Sequence, residues 1–133
     1  MSTGTWDPSL ASATPEILTP ALLQRLAAAS RDERLDDLES VLTEDERQSL
    51  AGLMQLDHAQ WHGAAGELPD DEILHLLRFF AVAENLPGWE AGANSPVIPL
   101  AKILRGRGRR LDRDLLLWLR EVNENRYLPY GPL

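Results

Sequence analysis

The chain has 133 residues, with 13 Lys plus Arg against 21 Asp plus Glu, a formal net charge of -8, 44% apolar residues and no cysteine. That length fits one domain, able to bury roughly two-thirds of the surface that its unfolded form exposes. Disulfide frameworks, thiolate metal sites and thiol nucleophiles are excluded, and the apolar content fits neither a wholly disordered chain nor a membrane bundle.

Residues 1–16 mix Ser, Thr, Ala and Pro without periodicity, which predicts a flexible N-terminal arm with Trp6 as its one anchor. Its first ten residues hold neither a basic side chain nor an apolar run, so no signal peptide is read there. The longest apolar stretches, at 79–83 and 115–119, are about five residues long against the roughly 20 needed to cross a bilayer. The expectation is a soluble, cytoplasmic protein without a membrane anchor.

A single helical domain is expected over 17–125. Thr19 followed by Pro20 is an N-cap and first-position pair, and Leu22, Leu23 and Leu26 supply an apolar stripe behind it. Ser30-Arg31-Asp32-Glu33 and Thr43-Glu44-Asp45-Glu46 both have the spacing of a capping box and predict two consecutive short helices. Leu50, Leu53, Met54 and Trp61 extend the second of these until the glycines at 63 and 66 break it. Pro69 and the acids 70–72 then open a helix over 70–85, whose first turn suits the positive end of the helix dipole. Its apolar residues cover nearly the whole circumference and leave Arg78 and Glu84 as the main polar positions, which marks a buried central helix.

Ser95-Pro96 starts a further helix with Val97, Leu100, Ala101 and Leu104 on one side, at the loss of one early hydrogen bond to Pro99. Leu111, Leu115, Trp118, Leu119 and Val122 recur at helical spacing along a last helix, 112–123. Prolines end the helical pattern at 126–133, expected to form an extended C-terminal tail. No stretch alternates as a half-buried strand does. The fold expected is a compact all-α bundle of five to six short helices with the central helix buried.

Charge is unevenly distributed. Residues 1–90 hold 17 acids and 5 bases, whereas 91–133 hold 4 acids and 8 bases. Six of those bases, Lys102, Arg105, Arg107, Arg109, Arg110 and Arg113, crowd one turn whose Gly106 and Gly108 permit close backbone approach. Guanidinium forks suit carboxylates and phosphates, so this turn is a candidate partner or anion site. The competing reading is that some of its arginines pair with the acidic helices of the same chain. Trp89, in a glycine-containing loop, and Tyr127 and Tyr130, in the tail, are the aromatic candidates for the same surface.

His58 and His62, four apart, share a helix face as metal-binding pairs do, but the intervening residues lack the glutamate of a zinc-protease helix. No metal or cofactor is expected. His75, inside the central helix, reads as a hydrogen-bonded core histidine, and the acids at 36–46 read as a solvated face. With no phosphate-cradling loop and no catalytic constellation, the expected function is protein–protein interaction, as an adaptor or regulatory module or by self-association. The alternative is a nucleic-acid or phosphate-ligand contact at 102–113, which the overall acidity disfavours.

Overall fold

The computed structural model describes residues 18–109 and 111–123. These residues form helices and no strands, in one compact arrangement, as the all-α reading expects. Among the described residues seven α-helices follow one another: α1 Pro20–Arg31, α2 Leu38–Val41, α3 Glu44–Leu50, α4 His58–Ala65, α5 Asp70–Ala83, α6 Val97–Gly106 and α7 Arg113–Val122. Short 3-10 turns at Leu35–Asp37, Ala51–Gln55 and Gly92–Asn94 join them. The expected arm (1–16) and tail (126–133) lie outside the described residues.

Helix starts follow local chemistry. Thr19 accepts a hydrogen bond from the Leu22 amide at 3.1 Å, with Pro20 in the first position where its missing N–H has no intrahelical partner. The box at Thr43 forms in both directions: its hydroxyl accepts from the Glu46 amide at 3.1 Å and the Glu46 carboxylate accepts from the Thr43 amide at 3.0 Å. Asp57 and Gln60 form a second reciprocal box, with bonds of 2.9 and 3.0 Å, and so start α4 as a helix of its own. The helix expected to run from Thr43 to Trp61 is therefore two helices. Gly63 lies inside α4, and the break comes at Gly66.

Ser30 does not cap anything. It lies in the last turn of α1, and its hydroxyl shares a 2.8 Å hydrogen bond with His75 Nδ1 on α5. The chain leaves that helix through Glu33, whose φ of 57° is in the left-handed region. Pro99 removes no helical bond either. Since α6 begins at Val97, Pro99 stands third, where the amide hydrogen has no acceptor in any helix.

The hub is α5, which packs against α1, α6, α7 and the 3-10 turn at 35–37, while α4 packs on α6. Ile73, Leu76, Leu77, Phe79, Phe80, Ala81 and Ala83 are fully buried on it. Phe80 meets Trp61 edge-on at 5.1 Å between centroids, Phe79 meets Phe80 at 5.0 Å, and Phe79 meets Trp89 at 6.4 Å. Each such side chain truncated to Ala removes about 3–5 kcal/mol by the usual cavity relation.

The two tryptophans in this chain of rings differ in one polar atom. Trp89 donates its indole N–H to the Arg47 carbonyl at 2.9 Å, and Trp61 Nε1 has no acceptor among the described residues. Replacing Trp89 by Phe leaves a carbonyl unpaired; replacing Trp61 by Phe removes an unsatisfied donor. Urea unfolding is expected to show Trp89→Phe less stable than Trp61→Phe by about 1–2 kcal/mol. Equal losses would contradict this difference between the two rings.

Candidate functional site

The turn following α6 is fastened to its own chain. Gly108, with φ of 78°, reverses the backbone in a conformation that favours glycine. Arg107 is thereby aimed at the end of α4. Its guanidinium donates to the Gly66 carbonyl at 2.6 Å, the Leu68 carbonyl at 2.7 Å and Asp70 Oδ1 at 2.7 Å. Arg109 Nε lies 3.2 Å from the other Asp70 oxygen. One side chain from the basic turn thus bonds the carbonyl of the α4 cap residue Gly66 and that of Leu68 in the following link, and it holds the first residue of α5.

This divides the expected cluster. Arg107 and Arg109 take the internal pairing anticipated as the competing reading. Lys102, Arg105 and Arg113 are exposed and form no ion pair among the described residues. Arg110 lies outside the described residues, as do Tyr127 and Tyr130. Trp89 is fully buried, with its indole bonded to the Arg47 carbonyl. Its place in the partner surface is corrected: the loop tryptophan folds back into the core because its ring packs on Phe79.

The histidines separate in the same way. His58 Nε2 lies 2.9 Å from the Ala93 carbonyl, a bond in which the ring nitrogen donates and is closed to a metal. Among the described residues, no group of three or more His, Asp or Glu side chains is arranged to hold a metal ion. His75 sits between α1 and α5 with Ser30 on Nδ1 and Asp71 3.7 Å from Nε2, and Arg31 pairs with Asp71 at 3.2 Å. This chain of polar groups clasps two helices. Burial pushes the His75 pKa below its usual 6.5; Asp71 opposes that shift, and Arg31 and Arg78 add to it.

Sequence reasoning missed a surface feature along α5. Leu74, Arg78 and Val82 recur every fourth residue and stay partly exposed, forming the floor of a trough. Helix α7 runs in the same direction as α5 and makes one wall, with Leu115 near Leu74, Trp118 near Arg78, and Val122 at the far end. There Asn85 Nδ2 donates to the Val122 carbonyl at 2.7 Å, and Asn123 Nδ2 donates to the Ala81 carbonyl at 2.8 Å. Buried Glu84 accepts from Ser95 Oγ at 2.7 Å and from Asn123 at 3.2 Å, completing the anchor. The segment from Ser30 to Asp36 is the opposite wall. The Arg78 guanidinium lies 4.6 Å above the Trp118 ring and separates a cavity of about 430 Å³ from one of about 240 Å³. Leu117, on α7, is 47% exposed and is the one exposed large apolar residue among the described residues.

Among the described residues, no helix is long and apolar enough to cross a membrane. No family model, curated protein or solved structure matches the chain.

Two measurements check these assignments. Arg107→Ala removes charged bonds to two carbonyls and an aspartate, and is expected to cost about 1–3 kcal/mol in urea unfolding, whereas Arg105→Ala stays within about 0.5 kcal/mol. Equal effects would mean the clasp does not hold the turn. For His75, a folded pKa below the unfolded 6.5 means that the unfolded chain binds the proton more readily. Stability is therefore expected to be intact above pH 6.5 and to fall as pH drops below it, and His75→Gln is expected to flatten that slope. A wild-type slope of opposite sign would contradict the part-buried, neutral state.

Proposed function

We propose that this chain is a protein-interaction module whose contact surface is the α5–α7 trough and the outer face of α7. The observation that carries the reading is the placement of α7. It has the apolar stripe of a core helix, yet its one substantial helix partner is α5, so Leu74, Val82, Leu116, Trp118 and Val122 stay only partly covered. A row of apolar side chains flanked by charge is the composition of a docking surface. Trp118, with the Arg78 guanidinium over its ring, is the kind of large aromatic anchor at which binding energy concentrates.

This reading moves the expected surface away from the basic turn, since Arg107 and Arg109 are engaged internally and Trp89 is buried. Among the described residues, an anion contact at 102–113 would draw on Lys102, Arg105 and Arg113, three exposed cations on a chain of net charge -8. That arrangement favours a protein contact over nucleic acid, whose binding grows with the number of phosphates neutralised.

Site-specific photo-cross-linking in the native cell tests the reading. A cross-linker at Leu117 is expected to give a discrete adduct that Trp118→Ala diminishes, and one at the exposed Gln24 of α1 is expected to give none. Identical products from both positions, or an adduct indifferent to Trp118, would argue against this surface.

A further inference from the structure

We infer that the partner seated in the α5–α7 trough is an amphipathic helix with cationic flanks. The inference rests on the interaction reading above and names the chemistry that the same surface selects. Shape is the first argument. The floor residues Leu74, Arg78 and Val82 lie on one line of α5 about 12 Å long, two helical turns. The wall residues Leu115, Trp118 and Val122 repeat at three and four on a helix running alongside. Two neighbouring helices with apolar residues along their shared edge form a groove into which a third helix fits, presenting its own residues at i, i+4 and i+7. An extended strand has less to pair with here, because the floor helix α5 and the wall helix α7 bond their own backbones.

Charge is the second argument, independent of shape. Asp112 and Asp114 stand at the rim where α7 begins. Glu33 and Asp36 stand on the rim at the other end, on the opposite wall. Glu33, Asp36 and Asp114 are exposed and form no ion pair among the described residues. Asp112 caps α7 by accepting from the Leu115 amide at 2.7 Å. Among the described residues lining the trough, the one cation, Arg78, is in the middle and already lies over the Trp118 ring. The pattern is an apolar row interrupted by the central Arg78–Trp118 pair, with carboxylates at both ends. A helix with Lys or Arg before and after its apolar stripe complements it, and a helix with acidic flanks meets like charge at each end.

The test uses the full chain and a fluorescein-labelled model peptide of about 16 residues, with leucines at i, i+4, i+7 and i+11 and lysines in its first and last turns. Fluorescence anisotropy is expected to give saturable binding that weakens about tenfold when glutamates replace the peptide's lysines. Asp36→Lys with Asp114→Lys, both exposed positions outside the core, is expected to weaken binding of the lysine peptide by a similar factor at low salt and by less at high salt. Val82→Asp, on the floor, is expected to abolish binding, and a circular dichroism spectrum confirms that the variant keeps its helices. Equal binding of the lysine and glutamate peptides, or indifference to the double reversal and to Val82→Asp, would overturn the inference. Peptide binding that appears only after deletion of 124–133 would instead identify the chain's own C-terminus as the occupant. A dimer in sedimentation that Val82→Asp dissolves would identify a second copy. If no peptide binds while the Leu117 cross-link persists, the cationic-helix assignment fails and the interaction reading stands; loss of both removes both.

Discussion

Everything in this fold hangs on the burial of α5. A helix that is apolar around most of its circumference cannot rest in water, and its length, Asp70–Ala83, sets how much other chain is needed to cover it. Four elements do so: α1, α6, α7 and the 3-10 turn at 35–37. The aromatic chain Trp61–Phe80–Phe79–Trp89 then brings α4 and the 84–94 loop onto the same centre. Cover is unequal. The α1 and α6 sides are sealed, and the α7 side is sealed only along Leu115 and Leu119. The trough is what is left where the cover is thinnest.

Polar contacts explain why the thin side still has one geometry. Helix α7 is pinned at its far end by Asn85, Asn123 and the buried Glu84, which also fixes Ser95 ahead of α6. A buried carboxylate held by several donors stabilises only the arrangement that supplies them, so it specifies position more than it adds stability. Away from this centre, the Arg25–Glu46 pair joins α1 to α3 and draws the Glu46 carboxyl down to about 2. Arg107 works on the opposite flank, linking the α6 turn to α4 and α5. The charge split along the sequence is in part a record of these ties: bases from the late segment meet acids and carbonyls of the early one.

Periodic features were legible in the sequence, and tertiary ones were not. The all-round apolarity of 73–83, the Thr19-Pro20 start, the Thr43 box and the 112–123 stripe each carry their own local signal, and each forms. The Ser30 spacing was equally regular, but its hydroxyl serves a contact to His75, 45 residues away. The Asp57–Gln60 box was present to be read; the leucine spacing running through it hid the boundary. Glu84 and Trp89 look like surface residues because polarity and a glycine-rich setting are local properties, whereas Ser95, Asn123 and Phe79 decide their burial. For the site, the six-residue cationic cluster was plain, but that Gly66, Leu68 and Asp70 would claim Arg107 depends on folding. The trough was missed altogether, since it is built from i, i+4 positions on one helix and i, i+3 positions on another whose alignment no single segment encodes.

Native-state hydrogen exchange followed amide by amide tests the central claim most directly. If α5 is the buried hub and α7 a cover attached chiefly along one side, the amides of Leu76 to Ala81 exchange only through global unfolding, and those of Leu116 to Arg120 exchange through a smaller, separate opening. Exchange of α7 at the same free energy as α5, or exchange of α5 ahead of α7, would contradict the account.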